Sequence, residues 1–189
     1  TYAISRAAFQ GGFTHANAKR VNQVIENVHS IDFTSSYPYV MCTQKFPMSS
    51  PELVENVSYN DLKELIKKYH CIFEIGFENI RARDDVYDHY ISRSKCHVCV
   101  GKYDDDGNLE EDVITDNGRV VYAQILTTTI TEVDLKIIER YYEWDSVKVR
   151  NVYRMVKSRL PKELISAILE LYANKTKLKG VQGCEVEYL

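Results

Sequence analysis

The sequence predicts an α+β fold in which an antiparallel sheet is inserted between an early strand and a late helix. From His70 onward, apolar residues recur with a period of two, which is typical of strands. The run Asp116-Asn117-Gly118 separates two β-branched segments and predicts a tight hairpin. Pro161 then opens an amphipathic pattern over 162–178, which predicts a long helix.

Local signals place the remaining elements. Gly11-Gly12 predicts a turn, and the polar stretch 22–28 predicts a connection between strands. The alternating residues after Val28 predict a strand, which ends where Pro38 opens a helix. The pattern of a helix start is present at Thr131-Glu132-Val133-Asp134. The other predicted elements are a helix over 60–68 and strands over 71–77, 95–103, 112–115, 119–123, 124–131 and 147–156.

Length and composition indicate a globular chain. With 189 residues, 44% hydrophobic and 27% charged, the chain fits one domain or two small lobes, and disordered or fibrous classes are excluded. No apolar run approaches the roughly 20 residues that a membrane helix needs. The chain begins at Thr1 without a targeting leader and ends at Leu189 without a helix stop signal. We therefore expect a piece of a longer protein.

Charge is unevenly distributed, although the formal net charge is only −3. From Glu74 to Asp112 there are eleven acidic residues and five basic ones. From Asp145 to Lys179 there are nine basic residues and three acidic ones. A basic stretch of this density is suited to phosphate groups, and it is also compatible with a solvated helix face. The acidic run Asp104-Asp105-Asp106-Gly107-Asn108 predicts a hairpin tip, because its glycine is misplaced for an EF-hand.

Five cysteines without a secretion signal indicate reduced thiols in a cytosol. Cys96 and Cys99 have the spacing of a zinc-binding pair. The upstream His70 and Cys71 are adjacent, however, and would face opposite sides of a strand. Two interpretations stay open: a structural zinc site through Cys96 and Cys99, or cysteines that pack within a sheet as small hydrophobic residues.

Asp32 is the clearest candidate for chemistry. A carboxylate at the end of a strand, before a sharp turn into a helix, is well placed to bind Mg²⁺. Two such ions about 4 Å apart stabilise the attacking and leaving oxygens of phosphoryl transfer. Backbone N–H groups at 34–36 would face phosphate oxygens at the positive end of the helix, and Tyr37 would lie beside the sugar. The same residues are compatible with a helix cap and a core tyrosine.

Several motifs carry a resemblance to one family. Motif A of family B DNA polymerases, D-x-x-S-L-Y-P, resembles Asp32-Phe33-Thr34-Ser35-Ser36-Tyr37-Pro38. The Y-x-G-G motif of the protein-primed phage members resembles Phe9-Gln10-Gly11-Gly12. Further similar runs follow in order at 117–120, 131–135, 160–161 and 171–180. Over essentially its whole length, the chain resembles an internal fragment of a protein-primed, viral or organellar type B DNA polymerase of a phage or prophage.

The resemblance implies roles for individual residues. Asp32 would be one of two palm aspartates that bind two catalytic Mg²⁺ ions. Tyr37 would be the steric gate that occupies the space of a ribose 2′-hydroxyl. The incoming triphosphate would be bound by Ser35, Ser36, Lys175 and Lys179. The DNA would be contacted by Gly11, Gly12, Lys148, Arg150 and Arg154.

The chain departs from the family pattern at two motif positions. Phe9 stands where Tyr is usual, and Ser36 stands where Leu is common. Motif B, motif C with the second aspartate, and the exonuclease carboxylates are absent from the sequence. Because one aspartate binds two metal ions poorly, we expect no polymerisation by this chain alone.

The resemblance also implies an organisation and a function. Residues 1–48 would be a partial polymerase palm, 49–159 an inserted α+β subdomain, and 160–189 the start of a long C-terminal fingers-type helix. The parent enzyme would use dNTP, primer-template DNA and possibly a terminal protein, in the cytoplasm of a bacterial host. The alternative is a non-catalytic nucleic-acid-binding or interaction module derived from a polymerase palm.

Overall fold

The computed structural model describes residues 2–12, 20, 22–85 and 89–178. The chain divides into two compact units. The first comprises Thr1–Gln23 and Ser50–Met155, and the second comprises Val24–Ser49 and Val156–Leu189. In chain order the elements are α1 (Tyr2–Ala8), α2 (Ser36–Thr43), β1 (Phe46–Pro47), β2 (Glu52–Val54), α3 (Tyr59–Lys68), β3 (Tyr69–Ala82), β4 (Cys96–Val100), β5 (Lys102–Tyr103), β6 (Leu109–Glu111), β7 (Ile114–Asp116), β8 (Arg119–Thr131), α4 (Glu132–Tyr141), β9 (Tyr142–Glu143), β10 (Ser146–Ser158) and α5 (Lys162–Leu178).

The first unit is built on a sheet with the strand order β10–β3–β8–β4. β3 and β8 form a long antiparallel ladder, which runs from Ile72 opposite Thr131 to Arg81 opposite Tyr122. Shorter strands extend this sheet, since β2 pairs with β10, β9 with β3, and β7 with β8. β5 and β6 form a separate two-stranded sheet. The predicted α+β class, with an antiparallel sheet and a C-terminal helix, is confirmed.

The core of this unit lies between the sheet and two helices. Phe73, Ile75 and Phe77 alternate along β3 and are at most 1% exposed. They pack in one cluster with Leu62 of α3 and Leu135 of α4. Burying each side chain of this size stabilises the fold by about 1.5–3 kcal/mol. This alternation is the period-two pattern that predicts β3.

The two helices that pack against the core, α3 and α4, each begin with a capping box. At α3, the Ser58 hydroxyl accepts a hydrogen bond from the Asp61 N–H, and the Asp61 carboxylate accepts one from the Ser58 N–H. Thr131 and Asp134 make the same pair of bonds at α4. A cap of this kind contributes about 1 kcal/mol. Because β8 ends at Thr131, the cap also fixes the point where the strand becomes a helix.

The predicted tight hairpin joins β7 to β8. Asn117 has φ of 46° and Gly118 has φ of 72°. Two consecutive left-handed residues form the type I′ turn that matches the twist of paired strands. The Asn-Gly signal in the sequence therefore predicts the turn correctly.

Other local predictions are corrected by the structure. Residues 2–8, for which no helix or strand was predicted, form α1. Residues 119–131 form one strand, where two were predicted. The strand predicted over 95–103 is divided at Gly101 into β4 and β5. A Cβ atom at Gly101 would lie 2.2 Å from the Glu111 carbonyl oxygen. The close approach of these two backbones therefore requires glycine where the chain leaves the main sheet.

The second unit contains α2, β1, the end of β10 and α5. β1 pairs antiparallel with that end, with Phe46 opposite Ser158 and Pro47 opposite Lys157. α2 contacts α5. The bounds of α5 agree with the predicted helix, but none of its residues is buried.

Among the described residues, no helix combines the length and the apolar character that crossing a bilayer requires.

Tyr142 anchors the segment that precedes β4. Its side chain is 1% exposed. Its hydroxyl donates a hydrogen bond to the Val120 carbonyl oxygen at 2.7 Å and accepts bonds from the Tyr90 N–H at 3.1 Å and the Ile91 N–H at 3.3 Å. Burial raises the pKa of Tyr142 to about 12, so the hydroxyl keeps its proton at neutral pH.

We predict that Tyr142→Phe lowers the free energy of unfolding by about 1–3 kcal/mol, because three buried backbone groups lose their partner. Urea denaturation followed by circular dichroism measures this loss. Tyr103→Phe is the matched control, since Tyr103 is 55% exposed, and its effect should stay within about 0.5 kcal/mol. Equal stabilities for the two variants would contradict the prediction.

Candidate active site and nucleic-acid interface

Asp32 lies on a segment that is neither helix nor strand. Its side chain is exposed, and the flanking Ile31 and Phe33 are 94% and 85% exposed. The strand predicted here is not formed, since none of the strands in the described part of the chain pairs with 31–33. A strand requires a neighbouring backbone for its hydrogen bonds, and apolar alternation alone does not supply one. The Asp32 carboxylate nevertheless remains accessible to a metal ion.

A sharp turn connects this segment to α2. Ser35 has φ of 54°, in the left-handed region that residues with side chains rarely adopt. Its carbonyl oxygen accepts a hydrogen bond from the Tyr39 N–H at 3.0 Å. Ser35 makes no side-chain capping bond, so it does not satisfy the first N–H groups of the helix, at Ser36 and Tyr37. The predicted turn into a helix is thus present, with Pro38 in the first turn.

The second unit brings together most residues predicted to bind nucleotide and metal. Tyr37 is 85% exposed in the first turn of α2. Lys175 is exposed in the last turn of α5, the helix that α2 contacts. Asp32, Ser35 and Ser36 belong to the same unit. Lys179, which was predicted to share a helix face with Lys175, lies outside the described residues.

Gly11 and Gly12 belong to the first unit and follow α1. Gly11 has φ of 74°, a conformation in which a residue with a Cβ atom is strained. A Cβ atom at Gly11 or Gly12 would meet no heavy atom within 4 Å among the described residues. The positive φ therefore explains why glycine is suited to position 11. Open space lies beside both Gly11 and Gly12.

Lys148 and Arg150 lie beside a shallow hollow on the sheet. The hollow has a volume of about 180 Å³ and is also lined by Glu74, Gly76 and Glu78. The Lys148 ammonium lies 3.3 Å from the Glu78 carboxylate. The pKa of Glu78 is lowered by hydrogen bonds from Ser146 and Lys148 and by the Lys148 charge.

Arg150 differs from Lys148 in its charge pairing. Arg150 is exposed, and it makes no ion pair with any residue that the structure describes. Its charge is therefore not neutralised by a carboxylate of the described residues.

Arg154 is in a different environment from Lys148 and Arg150. Its guanidinium makes two hydrogen bonds with the Glu52 carboxylate, at 2.9 and 3.0 Å, and lies 5.0 Å from the centre of the Tyr69 ring. The hydrogen bond and charge of Arg154 lower the pKa of Glu52. Arg154 lines a separate hollow of about 480 Å³ with side chains of α3.

The regular alternation predicted along β10 is interrupted at Asn151. This residue has φ of 49°. Lys148 and Arg150 are exposed, whereas Val152, which regular alternation would place on their face, is 1% exposed. The three predicted DNA-binding cations are therefore not a single stripe.

The sequence-based prediction missed the acidic partners of these cations. Glu52 lies on β2, for which no element was predicted, and pairs directly with Arg154 in the strand register. For the interrupted alternation along β10, the signal available in the sequence was Asn151. Asparagine is enriched at left-handed positions that interrupt a strand.

No complete metal centre is present among the described residues, since no group of three or more His, Cys, Asp or Glu side chains is arranged to bind an ion. The zinc interpretation therefore has Cys96 and Cys99 as its two sulfur ligands, without a third ligand in that part of the chain. Asp32 likewise provides one carboxylate of a metal site.

Comparisons with known proteins identify the family. Residues 1–153 match DNA polymerase type B, organellar and viral. No curated protein matches the chain. Among solved structures, the chain is similar to Phi29 DNA polymerase complexed with primer-template DNA and incoming nucleotide substrates, with 17% sequence identity and a TM-score of 0.59. This similarity in fold covers 93% of the chain and 27% of that polymerase chain. The chain belongs to the organellar and viral type B DNA polymerases.

Proposed function

We propose that this chain is part of a DNA-directed DNA polymerase of a phage or prophage. The reaction is nucleotidyl transfer from dNTP to a primer 3′-hydroxyl or to the hydroxyl of a terminal protein. The observation that carries the proposal is the exposed Asp32 carboxylate before the turn into α2, in the same unit as Lys175. Family membership supports it, and so does the similar fold of a polymerase solved with primer-template DNA and incoming nucleotides.

Asp32 is the residue that would hold Mg²⁺. Mg²⁺ prefers hard oxygen ligands such as a carboxylate. The exposed Asp32 carboxylate therefore fits one ligand position of a two-metal site. When bound, the two ions stabilise the charges that develop on the attacking and leaving oxygens. Because the sequence supplies one of the two palm aspartates, we expect the 189-residue chain alone to be inactive.

The nucleotide would lie beside the first turn of α2. The Tyr37 ring is exposed and would exclude a ribose 2′-hydroxyl from the sugar position. The first N–H groups of α2, together with Ser35 and Ser36, would face phosphate oxygens at the positive end of the helix dipole. Lys175, in the last turn of α5, and Lys179 would neutralise the triphosphate.

DNA binding is assigned to the inserted subdomain, 49–159, between the palm portion, 1–48, and the fingers start, 160–189. Arg150 would make the strongest phosphate contact, since it has no competing acidic partner among the described residues. Lys148 and Arg154 would have to exchange Glu78 and Glu52 for phosphate. Gly11 and Gly12 would allow the template strand to approach the backbone. The acidic hairpin β5–β6 would face a basic terminal protein or water.

Replacing the proposed metal ligand tests the catalytic role. In a complete polymerase that carries this segment, Asp32→Asn should reduce single-turnover nucleotide addition on the order of 10²–10³-fold or more, because transition-state charge loses its stabilisation. Duplex affinity, measured by fluorescence anisotropy, should stay unchanged. Glu26→Gln removes a charge from another exposed carboxylate of the same segment and should leave the rate intact. Full activity of Asp32→Asn would contradict the metal role and favour a non-catalytic binding module.

Sugar selection tests the gate. In the same enzyme, Tyr37→Val should increase the kcat/KM for rNTP relative to dNTP, because the space for a 2′-hydroxyl opens. Primer extension with each nucleotide measures this ratio. Tyr39→Val is the control, since Tyr39 is also exposed, at 65%, on the same helix. An equal change in both variants would contradict the assignment of Tyr37.

Salt dependence distinguishes the cations. For the 189-residue chain and duplex DNA, Arg150→Ala should reduce the slope of log K against log salt concentration by about 1, as expected when one phosphate contact is lost. Arg154→Ala should reduce the slope less, because Glu52 already neutralises that guanidinium. Fluorescence anisotropy at several salt concentrations gives both slopes. A larger change for Arg154→Ala would reverse the assignment.

A further inference from the structure

A β-bulge in β4 changes which residues share a face of this strand. Cys96 lies opposite Thr128 and Val98 lies opposite Thr127, so His97 is an extra residue in the ladder with β8. In a regular strand, residues three positions apart point to opposite faces. The extra residue shifts the alternation by one position and places Cys96 and Cys99 on the same face.

Burial agrees with this shared face. Cys96 and Cys99 are half-buried and pack against the core, whereas His97 and Val98 between them are exposed. On this shared face the two thiols are neighbours, and each influences the ionisation of the other. The Cys96 sulfur also lies 3.4 Å from the Ser92 carbonyl oxygen.

The two thiols differ in acidity. The hydrogen bond from Cys96 lowers the pKa of Cys99 to about 7, and the positive charge of Arg93 acts in the same direction. The hydrogen bond to Cys99 and burial raise the pKa of Cys96. Cys99 is therefore the thiol that ionises first, and Cys96 keeps its proton beside it.

The other cysteines that the structure describes lack this arrangement. Cys71 is fully buried in the core of the first unit. Cys42 belongs to the second unit. β4 is the last strand in its sheet order, so its outer edge has no partner strand among the described residues. Cys96 and Cys99 each keep part of their surface exposed, so a small solute can reach them.

We propose that Cys96 and Cys99 form a redox-responsive dithiol, which hydrogen peroxide converts into a disulfide within β4. The Cys99 thiolate attacks one peroxide oxygen, the O–O bond breaks, and the leaving hydroxide takes up a proton to give water. The Cys99 sulfenic acid that results is attacked by the Cys96 sulfur, which expels a second water. Two thiols lose two electrons and two protons, and the peroxide is reduced to two waters.

The edge position of β4 makes the final bond feasible. A disulfide needs sulfur atoms about 2.05 Å apart, so the two sulfurs must approach each other. Strand β4 is paired on one side only among the described residues, and its ladder is already interrupted at His97. A small-molecule dithiol would reverse the oxidation by thiol–disulfide exchange.

Mass spectrometry of the oxidised 189-residue chain tests the proposal. The reduced chain is treated with an equimolar amount of hydrogen peroxide, alkylated with iodoacetamide and cleaved with trypsin, which releases both thiols in the single peptide 96–102. We expect this peptide to lose two hydrogen atoms and to take no alkyl group, while Cys42 remains alkylated. The rate of loss should rise with pH, because the Cys99 thiolate, whose pKa is lowered, is the attacking species.

Variants and a second probe control for altered folding. Cys42→Ser should leave the reaction unchanged, whereas Cys96→Ser should stop at a Cys99 sulfenic acid that dimedone traps. Phenylarsine oxide, which bridges two neighbouring thiols, should bind the wild-type chain at peptide 96–102 with one arsenic atom. The proposal would be overturned by a peptide alkylated at both cysteines, by disulfides between different chains, or by the absence of an arsenic adduct.

Discussion

The long antiparallel ladder between β3 and β8 is the constraint on which the first unit depends. The buried carboxylate of Glu132, the first residue of α4, connects the start of β3 to the end of β8. It accepts a hydrogen bond from the Cys71 N–H at 2.9 Å and contacts the His70 ring. Because side chains alternate along each strand, a slip of one residue in this ladder would turn Phe73 and its neighbours out of the core. The burial of these core residues thus fixes the register of the ladder, and the register in turn determines which residues are buried.

This ladder also positions the two features of the first unit that are open to solutes. β10 flanks β3 and carries Arg150, and β4 flanks β8 and carries the Cys96–Cys99 pair. Both flanking strands deviate from regular geometry, at Asn151 in β10 and at the His97 bulge in β4. The central ladder carries the buried core, and the flanking strands place charged or thiol side chains on partly exposed faces.

Local signals were sufficient for the elements that depend on neighbours in the sequence. The capping residue Thr131 marks the start of α4, and Asn117-Gly118 marks the hairpin. Features set by distant residues were not predictable in this way. The Arg154–Glu52 pair joins residues 102 positions apart and depends on a strand register that no local pattern specifies. Asp32 was identified by the motif around it, whereas the strand predicted before it is not formed.

Binding and chemistry make different physical demands on this chain. Arg150 is presented by a paired strand, so a phosphate contact needs little further ordering. Metal-assisted transfer instead requires groups held in place before the reaction, because preorganised charges avoid the cost of reorganisation. Asp32 and Tyr37 are exposed, and the segment before the turn at Ser35 is unpaired among the described residues. The chain also spans 27% of the Phi29 polymerase chain. The proposed inactivity of the chain alone therefore has two causes: one carboxylate instead of two, and little packing around that carboxylate to fix its position.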